Sequence, residues 1–178
     1  GRKPKAVYKS DPDAVYAREY TFDLSKIRPV VAKPDFVDNL VPAEEVRGVK
    51  IDEAFLGSCN NGRIEDLRVG ASILKGRHVA EKVRFLVVPA SQTVYLQALK
   101  EGLIDTFIEG GAIVMNPNCS VCWGSCQGVI GENEVLISTG TRNFKGRAGH
   151  PSSKVYLGSA ATVTASAIKG EIALASDL

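Results

Sequence analysis

The residues of this sequence best suited to metal chemistry are its four cysteines. Three lie in Asn116-Pro-Asn-Cys-Ser-Val-Cys-Trp-Gly-Ser-Cys126, and one lies far upstream in Gly57-Ser-Cys59-Asn-Asn-Gly62. Cys119 and Cys122 form a C-x-x-C pair, so two thiolates on one tight turn could bind a soft metal centre that a third thiolate reaches from another loop. The spacing therefore predicts a site for zinc or for an iron–sulfur cluster.

Three other interpretations of the cysteines stay open on the sequence alone. Cysteine is often a small buried hydrophobe, although proline, asparagine and glycine rarely flank a core position as they do here. All four cysteines could bind one structural zinc ion, but a zinc ribbon usually has two C-x-x-C knuckles and this chain has one. A redox dithiol is favoured at a helix start, whereas Pro117 and Gly124 favour a turn.

A second candidate segment is basic. Arg142, Lys145 and Arg147 put three cations into a turn that contains Gly140 and Gly146. An arginine can bind a carboxylate through two parallel hydrogen bonds. The alternative is an ordinary solvated basic loop. Beside a soft metal site, paired arginines predict a polycarboxylate or phosphate ligand.

From Val49 onward, apolar runs alternate with amphipathic segments that have helix start and stop signals. Such an alternation predicts an α/β fold of three layers, with a mainly parallel sheet and helices on both faces. Strands are expected over Val49–Leu56, Val83–Val88, Ala112–Met115, Val135–Ser138 and Val155–Leu157. Helices are expected from a cap at Asn60 or Asn61 to Gly76, from Ser91 to Gly102, over Leu103–Glu109 and over Ala160–Lys169.

The candidate residues all follow strands of this predicted sheet. Cys59 follows the first strand, Cys119 and Cys122 follow the third, and the segment 139–147 follows the fourth. Ligands of parallel sheets collect beyond the carboxyl ends of the strands. We therefore expect three loops that are distant in sequence to share one edge of the sheet.

The first part of the chain has a different composition. Residues 1–48 hold five of the eight prolines, which predicts an extended arm or inter-domain connection with a short strand near Tyr20–Leu24. Residues 49–178 are the expected α/β domain. The chain begins at Gly1 and its one methionine is Met115, so we expect a piece of a larger subunit.

Bulk composition excludes several classes of protein. The 178 residues carry a formal net charge of +2, which argues against nucleic acid as a partner. No run approaches the roughly 18 apolar residues of a membrane span, so no membrane partner is expected. Four cysteines in a chain of this length are not a secreted disulfide scaffold, and we expect a reducing, cytoplasmic location.

Together these motifs resemble a known family. The segments Gly57-Ser-Cys59-Asn-Asn61-Gly-Arg-Ile-Glu-Asp66, Asn116-Pro-Asn-Cys119-Ser-Val-Cys122-Trp-Gly124 and Thr141-Arg142-Asn-Phe-Lys-Gly-Arg147 are similar to the third domain of the aconitase superfamily. The nearest resemblance is to the large subunits of 3-isopropylmalate dehydratase and homoaconitase. It covers nearly the whole chain, because Asp11–Tyr16 and Pro29–Asn39 resemble the run that precedes this domain.

The resemblance implies a [4Fe–4S] cluster bound by Cys59, Cys119 and Cys122. One iron would lack a protein thiolate and would bind the hydroxyl and carboxylate of the substrate. The implied reaction is dehydration and rehydration of a hydroxy polycarboxylate of the 2- or 3-isopropylmalate type, with a homoaconitase- or aconitase-type substrate as the alternative. Cys126 would be a bystander, or a fourth thiol that replaces a ligand when the cluster is damaged.

Other roles also follow from the resemblance. Arg142 and Arg147 match the arginines that bind substrate carboxylates, while Asn61 and Thr141 neighbour the cluster. Asn60 stands where the family usually has threonine, and Thr141 where it often has asparagine, which affects the expected hydrogen bonding and substrate preference.

The resemblance also implies what this chain lacks. In the family the acid and base residues lie on preceding domains, and a catalytic serine lies on a small, swivelling subunit. We therefore expect no catalytic residue in this chain, and a small subunit and a hydroxy polycarboxylate as its partners. A non-enzymatic zinc-binding domain and a regulatory RNA-binding protein are the alternatives.

Overall fold

A seven-stranded sheet runs through the computed structural model of the chain, which describes residues 6–178. The strand order is β2-β1-β7-β6-β3-β4-β5, and the five strands from β7 to β5 pair in parallel. β1 and β2 add an antiparallel edge beside β7. The strands are β1 (Val30–Ala32), β2 (Leu40–Pro42), β3 (Glu53–Leu56), β4 (Arg84–Val87), β5 (Ile113–Val114), β6 (Val135–Ser138) and β7 (Lys154–Leu157).

Four α-helices connect or follow these strands, close to the predicted bounds: α1 (Ile64–Leu74), α2 (Gln92–Lys100), α3 (Leu103–Glu109) and α4 (Ala160–Lys169). The hydroxyl of Ser91 accepts the N–H of Val94 at 3.2 Å, as expected of a cap. The predicted cap of α1 is wrong, since Arg63 precedes its first residue and its N–H donates to the Asp66 carboxylate. None of the helices within residues 6–178 has the length and hydropathy that a membrane crossing requires.

The α/β class with a mainly parallel sheet is confirmed, but the helices are not on both faces. All four α-helices contribute side chains to one core cluster, on the face that holds Leu56, Phe85 and Ile137. The other face, with Phe55 and Leu86, is covered by loops and one 3-10 turn.

The strand order explains this difference. From β3 the chain adds β4 and β5 on one side, and it then returns to add β6 and β7 on the other. Right-handed crossovers must lie on opposite faces before and after such a reversal. The connections that make the reversal, residues 115–134 and 139–153, contain no α-helix. They are loops, and these loops form the third layer.

Part of the expected arm belongs to the sheet. Residues 6–30 are exposed, and the strand expected near Tyr20–Leu24 is absent from this described part of the chain, where a 3-10 turn spans Leu24–Lys26. In contrast, Val31, Ala43 and Val46 are buried in the core. The prolines did not prevent a strand here because β2 is an edge strand, whose outer backbone needs no partner.

A buried acid fixes the start of the central strands. Glu53 is fully buried, and its Oε2 accepts a hydrogen bond from Arg84 Nε at 2.9 Å. Arg84 also donates twice to Glu134, at 2.9 and 2.7 Å. The other oxygen of Glu53 has no hydrogen-bond partner within residues 6–178. Burial outweighs the attraction of Arg84 and raises the pKa of Glu53 from 4.5 to about 7.

This pKa predicts a specific pH dependence of stability. Between pH 4.5 and 7 the folded chain keeps a proton on Glu53 that the unfolded chain releases. The free energy of unfolding should therefore fall as pH rises through this window. Relative to E53Q, the wild type should lose up to about 3 kcal/mol. Urea unfolding at several pH values measures the difference, and parallel curves for the two proteins would contradict it. The comparison with E53Q is needed because the hydrogen bonds from Arg84 lower the pKa of Glu134, which has the opposite effect on stability.

Candidate metal centre

Thr139 joins the loop after β3 to the loop after β6, at the point where the strand order reverses. It is buried just beyond β6, and its hydroxyl donates to the carbonyl of Gly57 at 2.7 Å and accepts the N–H of Gly57 at 3.0 Å. The carbonyl of Thr139 accepts a hydrogen bond from the side-chain amide of Asn61. The loop that carries Cys59 is therefore tied to the loop after β6, at the place where open parallel sheets bind ligands.

Local hydrogen bonds shape the turn that carries the other cysteines. The side chain of Asn118 donates to the carbonyl of Asn116 at 2.6 Å and accepts the N–H of Ser120 at 2.5 Å. Ser120 has a positive φ of 45°, and its hydroxyl donates to the carbonyl of Gln127 at 2.8 Å. A 3-10 turn follows over Ser120–Cys122, in which Val121 is buried in the second core cluster. The predicted turn conformation is thus produced by asparagine and serine as well as by proline.

The cysteines are not core residues. All four are free thiols; Cys59, Cys119 and Cys126 are exposed and Cys122 is half-buried. An ideal Cβ added to Gly140 would lie 4.0 Å from the sulfur of Cys122. The sulfur of Cys122 therefore lies beside the loop that follows β6. The cysteine turn and the loop tied to Cys59 consequently meet at this edge of the sheet.

The cysteine turn also contacts the basic loop. Gly124 has a φ of 74°, and a Cβ at this position would collide with the carbonyl oxygen of Arg147. Only glycine suits both the left-handed backbone and this close approach. The backbone of the cysteine turn is therefore packed directly against that of the basic loop.

The basic loop is in turn attached to the arm. Asn143 is buried, and its side-chain amide donates to the carbonyls of Lys33 at 2.9 Å, Phe36 at 3.2 Å and Val155 at 3.4 Å. Arg142 is exposed and donates to the carbonyl of Thr141 at 2.6 Å. The segment 33–36 before β2 therefore helps to hold the loop that carries the candidate arginines.

Thiol donors on separate loops can bind either a single metal ion or a cluster, and the two differ in the geometry that they require. Within residues 6–178, no three Cys, His, Asp or Glu side chains are gathered as ligands of one metal ion. A tetrahedral zinc site needs its sulfurs about 2.3 Å from one centre. An iron–sulfur cluster binds each thiolate through a different iron, so its ligands need not share a centre. Three free thiols on loops of one edge match that requirement in donor type.

Two residues that organise this edge were missed by sequence reasoning. The sequence predicts only that Thr139 and Asn143 belong to the segment 139–147 that follows a strand. Their roles depend on contacts with Gly57 and with the arm, more than 80 and 100 positions away in the chain. For Thr139 the available signal was chemical: it is a polar residue that follows an apolar strand directly, where a buried polar side chain must find partners. Asn143 lies five positions beyond β6 and has no such local signal.

Comparison with known proteins agrees with the resemblance seen in the sequence motifs. The sequence model of the Aconitase family (aconitate hydratase) matches residues 2–170. A probable methanogen homoaconitase large subunit from Methanothermobacter thermautotrophicus is 53% identical over 166 residues, which cover 93% of this chain and 39% of the relative. A 3-isopropylmalate dehydratase large subunit 2 from Archaeoglobus fulgidus is 52% identical over 165 residues, covering 93% and 40%. The chain thus spans about 40% of the length of these curated relatives.

Substitution of Gly124 tests the packing of the two loops. Gly124→Ala should destabilise the chain by more than Gly76→Ala, because both glycines have nearly the same positive φ but a Cβ at Gly76 has open space. The control should cost about 1–2 kcal/mol from backbone strain alone. Urea unfolding measures both variants. Equal losses would show that the contact with Arg147 contributes nothing.

Proposed function

The chain belongs to the aconitase family, and we propose that it is the cluster-binding part of the large subunit of an iron–sulfur hydro-lyase. The observation that carries the proposal is the meeting of three loops at the reversal of strand order. The Cys59 loop is hydrogen-bonded to Thr139, the sulfur of Cys122 lies beside Gly140, and Gly124 packs on Arg147. The segments proposed to bind a metal group and an anion thereby lie at one edge of the sheet.

In this proposal Cys59, Cys119 and Cys122 hold a [4Fe–4S] cluster. When bound, the cluster supplies a Lewis acid that stabilises the charge developing on a leaving hydroxide. Three protein ligands for four irons leave one iron for the substrate. Their exposed or half-buried position makes the sulfurs accessible to such a group. Cys126 is exposed on the same turn and is not assigned as a ligand.

The remaining residues of the site bind and orient. Arg142 and Arg147 provide the cations for the carboxylates of a substrate, a task that suits the forked guanidinium. The amide of Asn61 is engaged with the Thr139 carbonyl, so we assign it to positioning the Cys59 loop. Thr141 is half-buried beside Arg142, and we assign it as a neighbour of the cluster. None of these groups is assigned as the catalytic acid or base.

The names of the relatives support a narrower proposal. Both are named large subunits, one of a 3-isopropylmalate dehydratase and one of a probable homoaconitase. We propose a small subunit as the partner and a hydroxy polycarboxylate of the isopropylmalate type as the substrate, with a homoaconitase-type substrate second. The net charge of +2 gives no support to a nucleic-acid partner. Free thiols suit a reducing compartment, which we take to be the cytoplasm.

Cysteine substitutions test the cluster. After anaerobic incubation with iron and sulfide, the chain should bind iron and acid-labile sulfide in equal amounts. Cys59→Ser, Cys119→Ser and Cys122→Ser should each lower bound iron at least several-fold, because each removes one of three ligands. Cys126→Ser is the matched control and should retain the bound iron. Stoichiometric zinc that requires Cys126 would instead support a structural zinc site.

A turnover screen tests the substrate. The large subunit that contains this chain, combined with its small subunit, should interconvert 2- and 3-isopropylmalate faster than it dehydrates homocitrate or citrate. Arg147→Lys should mainly raise KM, because lysine keeps the charge but loses the paired hydrogen bonds. The assay follows absorbance of the unsaturated intermediate acid. Faster turnover of homocitrate would replace the proposed substrate with the alternative.

A further inference from the structure

The two candidate arginines are held in different ways. The guanidinium carbon of Arg147 lies 5.4 Å from the centre of the Phe144 ring, within the range of a cation–π contact. Arg142 instead donates to the backbone carbonyl of its neighbour Thr141. A guanidinium held over a ring by a cation–π contact uses none of its N–H donors in that contact, whereas one bonded to a carbonyl has used part of them. The two side chains therefore differ in readiness for an anion.

Arg147 lacks a protein acceptor in the described part of the chain. None of the ion pairs found between residues 6 and 178 includes it. Its Nε is buried and has no hydrogen-bond partner there. A buried N–H without an acceptor costs free energy. A carboxylate bound in the plane of the guanidinium would remove that cost.

The backbone on which Arg147 stands is fixed at both ends. Its N–H donates to the carbonyl of Phe144 at 2.9 Å, and its own carbonyl is packed against Gly124. The starting point of the side chain is therefore set by the turn itself. What remains to be fixed is the orientation of the guanidinium plane, and the Phe144 ring is the group that faces it.

Packing in the core does not explain why a phenylalanine occupies position 144. Half of its surface is exposed, at 50%, and it belongs to neither core cluster. An aromatic side chain in the turn that carries the cations, with a guanidinium over its face, is placed where it can orient that cation.

We propose that Phe144 is a positioning residue that holds the guanidinium of Arg147 ready to bind a substrate carboxylate. The ring covers one face of the guanidinium and leaves its edge to the ligand. Arg147 is then the preorganised member of the arginine pair, and Arg142 must leave the Thr141 carbonyl before it binds. The claim that Arg147 binds a substrate carboxylate rests on the proposed function. The claim that Phe144 orients its guanidinium does not.

Nitrogen NMR of the arginine side chains tests the orientation on the chain itself. Phe144→Leu keeps an apolar side chain and removes the ring, whereas Phe144→Tyr keeps the ring. The Nε–H signal of Arg147, assigned by its disappearance in Arg147→Lys, should lose its ring-current shift and its high heteronuclear NOE in the leucine variant. Both should persist in the tyrosine variant, and the Arg142 signal should change in neither. Equal NOE values for Arg147 in all three proteins would overturn the proposal.

Titration with 2-isopropylmalate tests the binding of a carboxylate by Arg147, with sulfate at equal ionic strength as the control anion. The Kd read from the Arg147 signal should weaken about two- to five-fold in Phe144→Leu and be retained in Phe144→Tyr. An unchanged Kd in the leucine variant would overturn the positioning role. Failure of the wild type to respond to 2-isopropylmalate would count against the proposed function, while the NOE values would still decide the orientation.

Discussion

The reciprocal hydrogen bonds between Thr139 and Gly57 are the contact on which the rest of this edge depends. They join the two loops that leave the sheet in opposite directions, at the one place where the strand order reverses. Both partners are buried, so the hydrogen bonds do not compete with water. The Cys59 loop, the amide of Asn61 and the loop after β6 take their positions from this junction. Without it, the loops after β3 and β6 would be positioned only by their own strands.

The layer opposite the helices brings the cysteine turn and the basic loop to this edge. A helix here would have satisfied its own backbone and presented a regular surface. The loops instead satisfy their backbones through side chains, as the contacts of Asn118, Ser120 and Asn143 show. Val121 anchors the cysteine turn in the core beneath the sheet. The chain can therefore present cysteines and arginines at precise places although no α-helix or strand carries them.

Much of this architecture could be predicted from the sequence, because it depends on local signals and on the rules of parallel pairing. The bounds of α3, α4 and β6 follow from glycine stops and apolar periodicity, which are local signals. The convergence of the loops followed from parallel pairing. The placement of the helices on one face was not predicted, because it depends on which connections make the reversal. β1 and β2 were not predicted, because the prolines of residues 1–48 favour an irregular arm, although an edge strand tolerates proline. The roles of Thr139 and Asn143 depend on register and on contacts far along the chain.

The packing of Gly124 against the carbonyl of Arg147 has a thermodynamic consequence. Two loops that share a backbone contact cannot adjust independently, so a change in one alters the free energy of the other. Binding linkage is reciprocal. Any factor by which a metal group on the cysteine turn changed the affinity of the basic loop for an anion would therefore equal the factor by which that anion changed the affinity for the metal group.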